Sequence, residues 1–269
     1  MLEPFHAMVL GAVEGLTEFL PVSSTGHLIL TSHWLGLHGE GVKTFDIVIQ
    51  SGAVAAVAGL YRRRVISMGQ GMLRKNPSGR ALLRNLLASF VPAAVVGIAL
   101  HRVIKAALFN VGAVVGALAV GGVLMIAVER WLRAAGRTAP RSLESLTRRE
   151  AWLIGLAQCL ALWPGTSRAM VTILAAMWCG LPAAAAAEYS FLLALPTLGA
   201  ATLFDAVRGG GALMTEVGLT ATVIGFGVSM AVAMFAMRGF IGYVSRRGLA
   251  PFGWYRVALA AVVWSAGIS

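Results

Sequence analysis

Long apolar runs separated by short basic segments dominate this chain and restrict what it can fold into. About 20 mostly apolar residues in a helix cross a bilayer, and six runs of that kind are present. Only 12% of the residues are charged, whereas about a quarter of a typical soluble domain is charged. The pattern predicts an all-α polytopic membrane protein with six full spans, near 45–61, 85–101, 110–130, 185–207, 218–237 and 250–268.

Two further apolar stretches, 7–35 and 151–180, are each interrupted by a polar segment that contains proline. Proline removes a backbone donor and breaks a helix. Non-helical backbone is tolerated at membrane depth only where protein or a water-filled cavity surrounds it. The interruptions, Pro21–His27 and Pro164–Arg168, therefore predict two re-entrant hairpins, each a helix, a break and a second helix that returns to the same side.

The distribution of positive charge supports the hairpins. A net charge of +11 would by itself also suit a nucleic-acid-binding protein. Most lysines and arginines, however, lie in segments 62–84, 131–150 and 238–249. Re-entrant hairpins place all three segments on one side of the membrane, which the positive-inside rule assigns to the cytoplasm. We therefore expect membrane lipid as the surroundings of the chain and no nucleic acid partner.

This topology divides one membrane domain, residues 1–269, into two inverted repeats. The first covers about 1–135 and the second about 150–269, with a basic cytoplasmic connection at about 131–150. Each repeat is a hairpin followed by three spans, and inverted repeats with broken helices place a site near the midplane, where the breaks meet. Short similarities support the repeat: Gly11-x-x-Glu14 with Gly155-x-x-Gln158, and Pro21–Thr25 with Pro164–Arg168.

Ionisable groups inside lipid are costly and are therefore candidates for function. Glu14 and Glu18 are four residues apart, so on a helix they share one face. A pair of carboxylates is a suitable ligand set for a divalent cation. The alternative is a pair of protonated or hydrogen-bonded carboxyl groups with a structural role.

Three hydroxyl groups and one imidazole follow the first break. Ser23, Ser24 and Thr25 fit N-caps of the second half-helix, but three hydroxyl groups exceed what a cap needs. His27 lies one turn further on. It is suited to orienting or deprotonating a hydroxyl group, or to acting as a nucleophile itself.

The second break carries Arg168, whose charge needs a partner in an apolar environment. With the amides of residues 165–168 at a helix N-terminus, it forms an anion site, and phosphate fits better than carboxylate. The alternative is a structural ion pair between Arg168 and Glu14, Glu18 or Glu188. The candidate phosphate-binding residues are Ser23, Thr25, Gly165, Thr166, Ser167 and Arg168.

The run from Glu14 to His27 closely resembles the first signature of the undecaprenyl pyrophosphate phosphatases, the bacitracin-resistance type of bacterial membrane phosphatase. Pro164–Arg168 resembles their second signature, and Phe45–Gln50, Ala187–Leu193 and Tyr255-Arg256 are similar to other landmarks of the family. The resemblance implies hydrolysis of undecaprenyl diphosphate to undecaprenyl phosphate, which recycles the lipid carrier of cell-wall synthesis. It also implies a multi-pass protein of the bacterial inner membrane whose active site opens to the extracytoplasmic side.

Carried over to this chain, the resemblance implies a catalytic set of Glu14, Glu18, Ser24, His27 and Arg168, with Mg²⁺ or Ca²⁺ at the two glutamates. It leaves open whether Ser24 or His27 is the nucleophile. One departure is that Ala169-Met170 follows the arginine, where the family usually has Ser-Gly.

One alternative function is a flippase or transporter of polyprenyl phosphate, because secondary carriers share the inverted-repeat architecture. A transporter needs the anion site but neither a nucleophile nor a metal-binding pair. A homo-oligomer is compatible with the sequence.

Overall fold

The computed structural model describes residues 2–108, 111–136 and 141–265. Within these ranges the backbone forms helices and turns and no strand, which confirms the all-α prediction. Short 3₁₀ turns at Leu143–Ser145 and Cys159–Leu162 and a π-helical turn at Leu213–Val217 connect longer elements. The α-helices of the described residues are α1 Pro4–Thr17, α2 Ser24–Trp34, α3 Glu40–Leu60, α4 Arg62–Met72, α5 Pro77–Leu108, α6 Val111–Ala134, α7 Arg148–Gln158, α8 Arg168–Trp178, α9 Ala183–Ala212, α10 Leu219–Arg247 and α11 Ala250–Ser265.

Within the described ranges, five helices are long and apolar enough to cross a membrane, namely α3, α5, α6, α9 and α10. They coincide with five of the six predicted spans, and the chain is a multi-pass membrane protein. Large apolar side chains on these helices are exposed, among them Ile98 at 83% and Phe235 at 73%, and lipid chains rather than water would surround them. Helix α11 has 16 described residues, and residues 266–268 of the sixth predicted span lie outside the described ranges, so that span stays a prediction.

The two interrupted stretches are folded as helix, break and helix. Helices α1 and α2 pack against each other, and so do α7 and α8. The first pair has 14 and 11 residues, or about 21 and 17 Å at the helical rise per residue. Neither helix reaches the roughly 30 Å of a hydrocarbon core. Each break therefore joins two short helices that fold back on one another.

The chain divides into two compact units. Unit 1 comprises Met1–Leu20, Ser24–Arg62 and Ala194–Gly239. Unit 2 comprises Pro21–Ser23, Arg63–Leu193 and Phe240–Ser269. The boundary passes through the first break, so that the peptide of the break belongs to unit 2 while the helices on either side of it belong to unit 1.

In unit 1, the first hairpin helix lies directly on α10. A Cβ atom on Gly11 would lie 2.6 Å from the carbonyl oxygen of Gly225, and a Cβ on Gly225 would lie 2.6 Å from the ring of Phe45 in α3. Leu10, Phe45 and Ile49 are fully buried around this contact. Because protein interiors are close-packed, a larger side chain at either glycine would force the three helices apart.

Unit 2 contains the same kind of contact between α7 and α5. A Cβ on Gly155 would lie 2.6 Å from the carbonyl oxygen of Ser89, and the Ser89 hydroxyl lies 2.7 Å from the Tyr189 hydroxyl of α9. The pairs Gly11/Gly155 and Phe45/Tyr189 are equally spaced along the chain. In each unit a glycine on a hairpin helix therefore packs on a long helix that also contacts an aromatic residue of a third helix.

Candidate active site

Two buried carboxyl groups lie at the end of α1. The helix ends at Thr17, but Glu18 keeps a helical backbone (φ −63°, ψ −41°) and its N–H donates to the carbonyl oxygen of Glu14 at 2.9 Å. The glutamates are therefore one turn apart on one face. Glu14 is fully buried and Glu18 is 7% exposed. The first break thus begins with two acids screened from solvent.

Ser24 opens α2 on the other side of this break and is also buried. Its hydroxyl donates to Oε2 of Glu18 at 2.5 Å, which is in the range of charge-assisted O–H···O⁻ bonds. A hydroxyl group in contact with a carboxylate has the geometry of a nucleophile and its base. Ser24 and Glu18 belong to one sequence motif, and the structure shows that their side chains are in direct contact.

The other polar residues of the first break occupy different positions. Ser23 is buried and has a left-handed backbone (φ 74°), a conformation that is costly for a residue with a side chain. Thr25 and His27 are half-buried on α2. His27 is one turn beyond Ser24, so the two side chains lie on the same face of the helix.

The second break places an arginine at the start of α8. Gly165 has φ 93°, and a Cβ there would lie 2.6 Å from the carbonyl oxygen of Val114, so only glycine fits. Ser167 caps the helix by accepting a hydrogen bond from the amide of Met170 at 3.3 Å. Arg168 is half-buried and follows this cap as the first residue of the helix. Its guanidinium and the α8 N-terminus together have the composition of an anion site.

Arg168 donates from Nη1 to the carbonyl oxygen of Ser190 at 2.8 Å. Glu188, one of the ion-pair partners considered from the sequence, instead accepts from Nε of Arg64 at 3.0 Å. The interpretation of Arg168 as the structural partner of Glu188 is therefore wrong. The Ser190 contact orients the guanidinium through a neutral backbone oxygen.

The departure from the family pattern after Arg168 is accommodated within unit 2. Ala169 and Met170 are both buried. A Cβ built on Gly121 of α6 would lie 3.1 Å from the Met170 sulfur, so the thioether packs where α6 has no side chain. The glycine on α6 thus provides the space that a bulkier residue after the arginine needs.

Arg256 of α11 connects the two breaks, and the sequence did not assign it a role in the site. The side chain is fully buried. Nη1 donates to the carbonyl oxygen of Pro21 at 3.3 Å, and Nη2 donates to the carbonyl oxygens of Gly165 at 2.9 Å and Ala117 at 3.0 Å. One guanidinium therefore fixes a backbone carbonyl from each break. An arginine in the middle of an apolar run was the signal available in the sequence.

The breaks also share their backbone geometry. Ser23 and Ser167 directly precede α2 and α8, and both have positive φ, 74° and 71°. The spacing that pairs these serines also pairs Pro21 with Gly165, the two residues whose carbonyls Arg256 binds. The alignment of the two prolines in the sequence is shifted by one residue from this structural correspondence.

The predicted site residues fall into both units. Ser23 and residues 165–168 belong to unit 2, together with Arg256. Those in unit 1 are Glu14, Glu18, Ser24, Thr25 and His27.

The donors at the end of α1 suit a hard cation such as Mg²⁺ or Ca²⁺. Among the described residues there is no group of three or more His, Cys, Asp or Glu side chains that could hold a metal ion. Mg²⁺ commonly binds one or two carboxylates and takes its other ligands from water and substrate phosphates. The pair Glu14 and Glu18 fits that kind of site, in which the substrate completes the ligand set.

Residues 7–262 match the family model described as bacitracin resistance protein BacA. An undecaprenyl-diphosphatase of Sorangium cellulosum is 53% identical over 96% of this chain and 85% of its own length. One of Novosphingobium aromaticivorans is 45% identical over 95% of each chain. The "Undecaprenyl-diphosphatase 2" of Shewanella oneidensis is 38% identical over 96% of each chain.

Proposed function

Because the chain belongs to the bacitracin resistance protein BacA family, we propose that it hydrolyses undecaprenyl diphosphate to undecaprenyl phosphate and inorganic phosphate. It is a membrane phosphatase, and the lipid carrier it returns serves cell-wall synthesis and bacitracin resistance. The observation that carries the assignment is the 2.5 Å hydrogen bond from Ser24 to Glu18. A hydroxyl group activated by a buried carboxylate is what phosphoryl transfer to a serine requires.

The diphosphate is held by positive charge from the second break. Arg168 and the amides at the start of α8 bind phosphate oxygens, since a helix N-terminus and a guanidinium both favour an anion. The hydrogen bond from Arg168 to the Ser190 carbonyl, at 2.8 Å, fixes the direction of the guanidinium. The prenyl chain remains in lipid.

In the first step, Ser24 Oγ attacks the terminal phosphorus. The Oγ–P bond forms while the bond from phosphorus to the bridging oxygen breaks. Glu18 takes the hydroxyl proton and passes it to the departing undecaprenyl phosphate. Positioning and charge stabilisation supply most of the rate enhancement in reactions of this type.

In the second step, water attacks the phosphoserine. Glu18, ionised again, accepts a proton from that water, the Oγ–P bond breaks, and the proton returns to Ser24 as phosphate leaves. His27 lies on the same helix face as Ser24 and acts on the same phosphoryl group as a hydrogen-bond donor. We favour Ser24 over His27 as the nucleophile because it is Ser24 that contacts Glu18.

A divalent cation, Mg²⁺ or Ca²⁺, is proposed at Glu14 and Glu18. When bound, it would neutralise charge on the phosphate oxygens. The two carboxylates are the residues of this chain that would hold it, and their burial would limit competition from water.

We further propose two inverted repeats and six spans in the bacterial inner membrane. Support comes from the equal spacing of Gly11/Gly155, Ser23/Ser167 and Phe45/Tyr189, whose members make corresponding contacts or share the same backbone conformation. Support for the orientation comes from the three basic segments, which assign one side to the cytoplasm. With that orientation the first hairpin opens to the extracytoplasmic side, where the diphosphate enters.

The test is phosphate release from undecaprenyl diphosphate by purified protein in detergent, with no membrane gradient. We expect the parent to release phosphate and Ser24→Ala to release almost none. Ser32→Ala, which removes another buried hydroxyl of α2, is the matched control and retains parental activity. Absence of phosphate release by the parent would favour the transporter function, and parental activity in Ser24→Ala would refute this assignment of the nucleophile.

A further inference from the structure

A groove of about 650 Å³ lies where α6 and α10 end and α11 begins. All three of these helix ends belong to unit 2. The groove is far in sequence from both breaks, and the phosphatase reaction does not use it. Its charged and aromatic lining residues are Glu129, Arg130, Arg133, Tyr243, Arg247 and Trp254.

The acid of this groove is already neutralised by its own surroundings. Glu129 is 3% exposed, and its Oε2 accepts from the amides of Leu249, at 2.8 Å, and Ala250 at the start of α11. Its Oε1 accepts from Arg133 Nη2 at 2.6 Å. The carboxylate thus caps α11 and pairs with one arginine, so it offers no free charge to a cationic ligand.

Gly248, which has a left-handed backbone, leaves room for the Glu129 carboxylate at the start of α11. Gly248 has φ 76°, and a Cβ there would lie 1.7 Å from Oε1 of Glu129. A side chain would therefore displace the carboxylate from the amides of α11. The backbone at Gly248 and the amides of α11 thus fix the position of the Glu129 carboxylate in the groove.

The remaining charge of the groove is positive. Arg130 and Arg247 are exposed, and within the described part of the chain neither guanidinium has an ion-pair partner. Two aromatic side chains accompany them: Tyr243 is 42% exposed and Trp254 is 58% exposed. Tyrosine and tryptophan are enriched where a membrane protein meets the headgroup region.

We propose that this groove binds the headgroup of an anionic glycerophospholipid. Guanidinium groups bind phosphate through paired N–H donors, and basic pockets between helices on the cytoplasmic side are suited to anionic headgroups. The lipid chains would lie on the exposed apolar surfaces of the adjoining helices within unit 2, such as those at Val123 of α6 and Val262 of α11. An acidic protein or nucleic acid would match the arginines but not the aromatic and apolar surroundings.

The experiment compares lipid binding by three purified forms of the full chain in detergent, using native mass spectrometry. The test variant is Arg130→Gln/Arg247→Gln. The control is Arg63→Gln/Lys75→Gln, which removes the same charge at two other exposed positions. The probes are phosphatidylglycerol, phosphatidylcholine with the same chains, and inorganic phosphate as a competitor.

The parent and control are expected to retain phosphatidylglycerol in preference to phosphatidylcholine. The test variant is expected to bind phosphatidylglycerol about 30-fold more weakly, from the contribution of each arginine near an anionic headgroup. Equal loss in the control, equal binding of both lipids, or unchanged binding by the test variant would overturn the proposal. Displacement of the lipid by millimolar phosphate would also overturn it by assigning the groove to free phosphate.

The groove variants also separate this inference from the phosphatase function. In detergent without added phospholipid, Arg130→Gln/Arg247→Gln is expected to unfold at the parental temperature and release phosphate at the parental rate. A variant that loses lipid binding only because it has unfolded contradicts the proposal and is recognised by its lower unfolding temperature.

Discussion

Replacement of Arg256 tests whether one buried guanidinium holds the two breaks in their active positions. In Arg256→Met, a flexible apolar side chain of similar length replaces the arginine. The carbonyl oxygens that Arg256 binds then lose their donor. Ala117 lies inside α6, where helical hydrogen bonds still serve its carbonyl. Pro21 and Gly165 lie outside the helices, so the loss falls mainly on these two.

The magnitude follows from these contacts. A buried carbonyl left without its donor costs about 1–3 kcal/mol, so two such groups lower the free energy of unfolding by about 2–6 kcal/mol. The same change releases the carbonyl of Pro21, two residues before Ser23, and the carbonyl of Gly165, three residues before Arg168. Displacement of catalytic groups by about 1 Å can lower the rate about 100-fold, and we expect a fall of that size in kcat.

The assay is steady-state phosphate release from undecaprenyl diphosphate, measured together with thermal unfolding in detergent. Arg256→Lys keeps the charge, but one ammonium nitrogen replaces a planar group that reaches several carbonyls. We expect it to recover much of the stability and little of kcat. Arg238→Met, an exposed arginine of α10, is the control and remains near the parent in both measurements.

A positioning role for Arg256 is excluded if Arg256→Met unfolds at a lower temperature while the folded fraction keeps the parental kcat. Arg256 would then support the fold without positioning the reacting groups. Parental kcat in Arg256→Lys at full stability would refute it in the same way, because one donor would then suffice.

Three further predictions concern Glu18 at the first break, Gly165 in the second break, and the Arg141–Glu150 pair in the basic connection. Glu18→Gln should lower kcat about 10²–10⁴-fold through loss of the general base, and a smaller fall in steady-state phosphate release would contradict that role. Gly165 has φ 93°, and a Cβ there would lie 2.6 Å from a backbone oxygen of α6. Gly165→Ala should therefore lower the free energy of unfolding by about 2–5 kcal/mol, measured by denaturant unfolding. In the control Gly116→Ala the added methyl group meets open space, and stability should not fall. Hydrogen bonds from Arg141 lower the pKa of Glu150 from 4.5 to about 2, so the stabilisation from that pair is complete above pH 4.5 and disappears as the pH falls towards 2. Unfolding temperatures measured across this pH range should show that loss in the parent and not in Glu150→Gln. Identical pH profiles for the parent and the variant would show that the Arg141–Glu150 pair does not cause the loss.

The hairpins were predictable because proline and polar residues inside apolar runs have direct local consequences. The predicted stretches, 7–35 and 151–180, are close to the observed helix pairs, which run from Pro4 to Trp34 and from Arg148 to Trp178. The long helices extend beyond several predicted spans, as α10 does by continuing to Arg247. Hydropathy identifies the part of a helix that crosses the membrane, but it does not identify the residue at which the helix ends.

The contacts that organise the breaks were not predictable from local patterns. Arg256 reaches Pro21 from the other end of the chain, and no spacing rule connects residues so far apart. Glu188 pairs with Arg64 because of helix packing that the charges alone do not specify. The left-handed Ser23 and Ser167 also contradict local propensity, which assigns positive φ to glycine, and strain of this kind is typical of functional segments.

Ser24, activated by Glu18, is the residue that we propose to receive the phosphoryl group. The most direct measurement is an acid quench of the purified enzyme during turnover of undecaprenyl diphosphate labelled in the terminal phosphate, followed by peptide mapping. We expect acid-stable label on Ser24 in the parent, less label in Glu18→Gln, and none in Ser24→Ala. Acid-labile label on His27, or turnover by Ser24→Ala at the parental rate, would contradict it.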